Sequence, residues 1–318
     1  MLLKVLSLFS GIGAFEKALT RLNIEYELVN YCEIDKYAAK AYSLIHNISE
    51  ELNLGDITKI NEKKLSDFDL MTWGFPCTDI SIAGKQEGFI DKNGNKTRSG
   101  LYYEGLRILK YKKPKYSIIE NVKNLTSKKF KKQFEQILSD LENEGYNSYW
   151  QVLNAKDYGV PQNRERVFIV SIRKDIDDGR FEFPKGFDNG IRLKDLLENS
   201  PSDKYLVGIK THIYLDKHKE IHKNKGNGFG YSIKNIHNDI AFSITTKITA
   251  CRSSDNYIAV GDRIRRLTPL ECFRLMGFDD RDYYILKENK LSDTQIYKMA
   301  GNSIVVNVIE AIFNIILK

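Results

Sequence analysis

Short apolar runs of strand length alternate with segments of helical spacing along the first half of the chain. Lys4 to Phe9 reads as a buried strand that opens through Ser10-Gly11-Ile12-Gly13 into Glu16 to Leu22, where apolar positions recur at helical intervals. A second apolar run, Tyr26 to Tyr31, leads to Glu33, and Asn53 to Ile57 reads as the end of a third strand. The run Asp69 to Trp73 ends in Gly74-Phe75-Pro76-Cys77. Leu101 to Lys112 has helical spacing, and Lys115 to Ile119 reads as a strand ending in Glu120-Asn121-Val122. Phe130 to Glu144 is an amphipathic helix with Phe130, Phe134, Ile137, Leu138 and Leu141 inward, closed by Gly145. Gln162 to Arg166 precedes a strand from Val167 to Ile172.

This alternation predicts an α/β fold with a mostly parallel sheet. From Lys174 to about Asp262 it fails: short β-like pieces and the Gly-rich Asn224 to Gly230 predict a second, irregular lobe. Beyond it, Thr268-Pro269 starts a helix that Gly277 ends, and Gly301-Asn302-Ser303 precedes an apolar helix expected to dock on the core.

Composition narrows the class. The chain has 318 residues, 42% hydrophobic and 29% charged, which is ordinary for a globular protein. Its most apolar stretches are too short or interrupted to span a bilayer, so a cytoplasmic protein without membrane association is expected. The cysteines, Cys32, Cys77, Cys251 and Cys272, form no CxxC pair, which favours a reducing compartment and free thiols. A net charge of +7 mildly favours an anionic partner. His218 and His222 have helical ligand spacing, but Glu220 is not placed as in HExxH and no cysteine pair assists, so no metal is expected.

The candidate chemistry collects at strand ends. In Gly-x-Pro-Cys, glycine permits unusual dihedrals and proline fixes its own, so Cys77 is presented on a sharp turn. Taken alone, such a cysteine is more often structural. The turn after the first strand resembles nucleotide-binding turns, with Glu33 placed to take ribose hydroxyls. Glu16 stands where a dinucleotide fingerprint has its third glycine, and its charge would repel a pyrophosphate; a nucleoside without phosphates, such as S-adenosylmethionine, fits better. Asp56 could accept from an adenine amino group between Ile34 and Ile57, or simply cap its turn. Glu120 could act as an acid, and Arg164 and Arg166, two apart in an extended segment, would face one way toward an anion or a base carbonyl. Thr78 to Gly100 is long and Gly-rich enough to be a lid.

In this order, Phe9-Ser-Gly-Ile-Gly, Glu33, Gly55-Asp56-Ile57, Gly74-Phe-Pro-Cys77, Glu120-Asn-Val, Gln162-x-Arg164-x-Arg166, Arg265-x-Leu-Thr-Pro and Gly301-Asn-Ser resemble the DNA cytosine-5 methyltransferase family. The resemblance implies a Rossmann-like methyltransferase domain (1–174 and 290–318) and a smaller, irregular, β-rich target recognition domain (175–289). It implies S-adenosylmethionine as methyl donor, held by Phe9, Gly11, Ile12, Gly13, Glu33, Ile34, Asp56, Ile57, Pro76, Leu101, Asn302, Ser303 and Ile304. Cys77 would attack C6 of a flipped-out cytosine, Glu120 would serve N3, Arg166 would hold O2, and Arg164 would pair with a carboxylate or phosphate. Ser81 and Gln162 would touch DNA, and the lid would close over the base. Thr78 departs from the glutamine that many members carry after the nucleophile. The expected partner is double-stranded DNA, bound by a monomer in a bacterial cell or phage-infected host, with any cognate restriction endonuclease acting separately. A related tRNA cytosine methyltransferase and a non-catalytic DNA-binding member are the alternatives.

Overall fold

In a computed structural model of the chain, which describes residues 2–81, 87–226 and 230–317, the apolar runs meet in a six-stranded sheet. In chain order, β1 (Leu3–Leu8), α1 (Ala14–Arg21), β2 (Tyr26–Cys32), α2 (Lys36–His46), β3 (Leu70–Trp73), α3 (Tyr102–Lys112) and β4 (Tyr116–Val122) build its parallel half. After them come α4 (Lys131–Asn143), β5 (Tyr146–Asn154), the two-residue β6 (Gln162–Asn163) and β7 (Glu165–Arg173). The strand order is β2-β1-β3-β4-β7-β5, with β4 and β7 antiparallel.

That order has a consequence for ligand binding. The chain leaves β1 toward β2 on one side and returns with β3 on the other, so the carboxyl ends of β1 and β3 flank the switch point where open α/β sheets bind ligands. The register keeps those ends level: Leu8 pairs with Cys32 and with Trp73, and Trp73 pairs with Ile119. Phe9, Glu33, Gly74 and Glu120, each one residue further on, therefore line a single edge.

Local chemistry explains the elements. All four residues of β3 are buried, as a central parallel strand requires. Trp73 stacks on Tyr102 at 5.5 Å, and Gly105 makes room for it: a Cβ there would lie 2.3 Å from the indole. Asp35 caps α2 by accepting from the Tyr37 and Ala38 amides. On α4 the inward face is Phe134, Ile137 and Leu141, each worth roughly 2 kcal/mol on burial, and Gly145 closes the helix with φ +92°. Asn53 to Ile57 forms no third strand. Asn53 makes one isolated bridge to Tyr31, and Asp56 caps a short 3-10 turn.

The chain divides into two units, Met1–Leu153 with Glu165–Lys185 and Val308–Lys318, and Asn154–Arg164 with Gly186–Asn307. Residues 154–164 and 290–307 thus group with the second unit and 175–185 with the first, unlike the expected boundaries of 1–174 with 290–318 and 175–289. The second unit carries α5 (Ile209–Asn224), β8 (Ser232–Ile233), β9 (Ala241–Phe242), β10 (Asn256–Val260), β11 (Arg263–Arg266), α6 (Pro269–Leu275), α7 (Asp280–Glu288) and α8 (Asp293–Asn302). Its strands are short, and β6 pairs with β9. Of the Gly-rich stretch expected at 224–230, residues 227–229 lie outside the described ones. The helix α9 (Val306–Ile316) docks as expected: Phe313 meets Phe15 at 6.2 Å and Arg21 pairs with Glu310. Asp293–Ile316 is apolar enough by length and composition to cross a membrane, yet half of an 18-residue stretch within it is buried.

Candidate active site

The turn after β1 is built on left-handed backbone. Phe9, Gly11 and Gly13 have φ of +53°, +56° and +77°, and for Phe9 this conformation costs roughly 1–2 kcal/mol. Glu33 holds the turn: Oε2 accepts the Gly11 amide at 2.9 Å and Oε1 accepts the Asp35 amide at 2.7 Å. Burial pushes the Glu33 carboxyl above its ordinary value, and these two amides pull against that. Beneath the turn, His46 Nε2 lies 3.0 Å from the Ile12 carbonyl, and burial lowers its pKa to about 4, so the ring is neutral and donates from Nε2.

Asn53 locks the neighbouring segment onto β2. Its Oδ1 accepts from the Glu33 and Gly55 amides, both at 3.0 Å, and its Nδ2 donates to the Glu33 carbonyl. Asp56 takes both of its bonds, from the Thr58 amide and hydroxyl, on Oδ1, which leaves Oδ2 as an acceptor. Those bonds hold its carboxyl below the ordinary value. Ile57 is buried, whereas Ile34 is 72% exposed beside Glu33. Leu101 and Phe9 are partly buried against the core.

Glu16 corrects the sequence argument. It is fully buried, and desolvation raises its pKa, so its carboxyl is not displayed in the first helical turn as expected. The preference for a phosphate-free nucleoside rests instead on the turn itself, where Phe9 to Gly13 contains no Lys or Arg while carboxylates stand at 33 and 56.

Cys77 follows β3 on irregular backbone. Its carbonyl accepts from the Ile80 and Ser81 amides at 3.0 and 2.8 Å, and its thiol is in no disulfide. Side chains from distant positions fix the residues around it. Asn121 Nδ2 donates to the Phe75 carbonyl at 3.1 Å, Ser99 Oγ to the Pro76 carbonyl at 2.7 Å, and Asn124 Nδ2 to the Ile80 carbonyl at 2.5 Å. Asp79 accepts from the Ser99 amide and the Thr78 hydroxyl. Gly74 lies against Glu120, where a Cβ would sit 3.3 Å from Oε2. Glu120 Oε1 is 3.0 Å from Arg166 Nε, and both side chains remain partly exposed. Ser81 is half-buried; within the expected lid, residues 82–86, Gly84 among them, lie outside the described ones.

The two arginines do not share a face. The ladder breaks at Arg164, between β6 and β7, so strand alternation does not carry across it. Arg164 is buried in the second unit, where it donates to Ser243 Oγ and to the carbonyls of Ile244, Gly301 and Ser303 at 2.7–3.1 Å. These described partners are a hydroxyl and three carbonyls. Gln162 is likewise corrected as a DNA contact: it is fully buried, donating to the Leu275 carbonyl and accepting from the Ile244 amide. Ser303 is buried and its carbonyl accepts from Arg164, Asn302 is exposed and Ile304 half-buried. Gly301 packs against the chain at Thr245 and Thr246, where a Cβ would come within 2.5 Å of backbone.

Asn53, Asp79, Ser99, Asn124 and His46 were missed by sequence reasoning. Nothing in their local sequence marks them, and only their partners reveal them.

Comparison with known proteins finds similarity along nearly the whole chain. Residues 3–318 match the family model described as C-5 cytosine-specific DNA methylase. The type II methyltransferase M2.ScrFI of Lactococcus lactis subsp. cremoris is 35% identical, over 100% of this chain and 99% of its own. The orphan methyltransferase M.SPRI of Bacillus phage SPR is 32% identical, over 98% and 96%. Among solved structures, the S. pombe Dnmt2 methyltransferase superposes with a TM-score of 0.78 at 23% identity, covering 99% of this chain and 98% of that one, which speaks to the fold.

Proposed function

The chain belongs to the C-5 cytosine-specific DNA methylase family, and from that premise we propose that it methylates C5 of a flipped-out cytosine in duplex DNA through a covalent bond from Cys77 to C6. The observation that carries this reading is the shared sheet edge: Gly74 lies against the Glu120 carboxyl, Arg166 is bonded to that carboxyl, and Cys77 follows on the same turn.

The residues after β1 and β2 fit S-adenosylmethionine. Glu33 offers each carboxylate oxygen's remaining lone pair to ribose hydroxyls, Asp56 Oδ2 can accept from the adenine amino group, and Ile34 and Ile57 can flank the ring. Gly11 fits the close approach of a ligand, since among the described residues no atom beyond its chain neighbours lies within 4 Å of where its Cβ would stand. Phe9, Ile12, Gly13, Pro76 and Leu101 complete the proposed set in the first unit, with Asn302, Ser303 and Ile304 proposed from the second. When bound, the donor supplies an electrophilic methyl on a sulfonium.

Cytosine C5 is a weak nucleophile. Addition of the Cys77 thiolate to C6 makes C5 an enamine carbon able to take a methyl. Glu120 serves N3, so charge that develops on the ring is neutralised, and Arg166 holds both Glu120 and the O2 carbonyl. Loss of the C5 proton to a base then lets Cys77 leave. Such chemistry cannot reach a base inside a stacked duplex, hence the flipped base. Ser81 is proposed as a phosphate contact. We propose that the protein acts as a monomer in the cytoplasm, with duplex DNA as its partner and any restriction endonuclease separate.

Methyl transfer from labelled donor to duplex DNA and to tRNA tests the reading. Transfer to duplex is expected, with none after Cys77→Ala. Unchanged transfer by that variant would sink the covalent route, and transfer to tRNA alone would sink the substrate.

A further inference from the structure

Ser99 touches the nucleophile turn on both sides of the cysteine. Its hydroxyl donates to the Pro76 carbonyl at 2.7 Å and accepts from the Asp79 amide at 3.2 Å, while its own amide donates to Asp79 Oδ2 at 3.2 Å. Pro76 precedes Cys77 and Asp79 stands two residues after it. Ser99 is 0% exposed and Asp79 7%, so water does not substitute for these bonds. The other two supports reach one side each: Asn121 binds Phe75, and Asn124 binds Ile80.

We propose that Ser99, jointly with Asp79, is a positioning residue for Cys77: the pair fixes the backbone on either side of the thiol so that it meets C6. The inference rests on the covalent reading above. A hydroxyl is suited to this place because it donates once and accepts twice, which lets one atom bridge a carbonyl and an amide. Alanine at 99 removes that bridge and leaves both backbone groups buried without it. The turn relieves this by shifting, and a shift of the order of 1 Å at a reacting atom costs about 100-fold in rate. Asp79 acts through its acceptor oxygen alone. An asparagine keeps that oxygen, so charge at 79 is not required.

The test is the rate of covalent trapping on duplex containing 5-fluorocytosine at the target, per donor-binding site titrated with S-adenosylhomocysteine. Wild type is expected to form the adduct. Ser99→Ala and Asp79→Ala are expected to form it about 10- to 100-fold more slowly per site, with kcat reduced and KM for the donor unchanged. Asp79→Asn is expected to stay near wild type. The proposal is overturned if Ser99→Ala traps at the wild-type rate per site, or if Asp79→Asn is as slow as Asp79→Ala. A purely architectural role would reduce the number of binding sites and leave the rate per site intact, which also overturns it. Wild-type protein that methylates duplex DNA without forming any adduct would sink the Cys77 addition itself, a failure distinct from one confined to Ser99.

Discussion

Two glycines in one turn are expected to respond differently to the same added methyl. Gly13 has φ +77°, and a Cβ there would stand 2.1 Å from His46 Nε2 and 2.8 Å from the Tyr42 ring. Both neighbours belong to α2, which is packed and capped, so neither yields cheaply. Left-handed backbone for alanine costs roughly 1–2 kcal/mol, and forcing a methyl into packed surroundings adds about 1–3 kcal/mol. Gly13→Ala should therefore lose roughly 2–5 kcal/mol, a large share of a normal domain's stability. Gly11 has φ +56° with no atom of the described residues beyond its chain neighbours within 4 Å of an added Cβ, so Gly11→Ala incurs only the backbone cost, roughly 1–2 kcal/mol. Its amide still reaches Glu33. If donor binding requires close approach at Gly11, that variant should bind S-adenosylhomocysteine about tenfold more weakly while remaining folded, each tenfold being 1.4 kcal/mol. Urea unfolding followed by calorimetric titration separates the two effects. Equal stability losses for both variants would refute the packing argument, and undiminished binding by Gly11→Ala would refute the approach argument.

Arg164→Ala should destabilise by about 3 kcal/mol or more, because it strands buried oxygens that a charged donor had satisfied. Arg166→Ala should unfold near wild type in urea but lose methyl transfer; reversed behaviour would mean that the two roles have been exchanged. His46 gives a pH signature. Its folded pKa of about 4 lies below the ordinary value of 6.5, so the unfolded chain binds the proton first and stability falls as pH drops from about 6.5 toward 4. The shift corresponds to about 3 kcal/mol. His46→Gln keeps a donor for the Ile12 carbonyl and should flatten that part of the profile; parallel curves would show that another group sets it.

The first unit was legible in sequence because its signals are local. A buried parallel strand announces itself as an apolar run, and the turns after β1 and β3 carry glycine and proline for reasons of backbone geometry alone. Even the edge that gathers Glu33, Cys77 and Glu120 follows once successive strands are taken as parallel, since their carboxyl ends then coincide. What escaped is non-local. Arg164 and Arg166 look like a matched pair because extended chain alternates, but a ladder break between them sends Arg164 into a buried network with Gly301 and Ser303. Glu16 looked like a displayed charge because helix position does not say which face is covered. Gln162, on the two-residue β6, looked like a DNA contact because its sequence position does not say that its amide is taken up by buried backbone groups.

The buried polar residues near Cys77 have a common physical origin. A nucleophile placed beyond the end of β3 is free of the strand and can be aimed, yet its backbone amides and carbonyls have lost the ladder that would satisfy them. Around Cys77 the missing partners come from side chains: Asn121 for Phe75, Ser99 for Pro76 and Asp79, and Asn124 for Ile80. Each bond is short-ranged and directional, so together they specify a position that glycine and proline alone would only restrict. Asn121 and Asn124 come from β4 and the turn after it, the segment that also carries Glu120. Nucleophile and acid are thus referenced to the same piece of sheet, so a displacement of that strand end would carry both along and leave their separation unchanged.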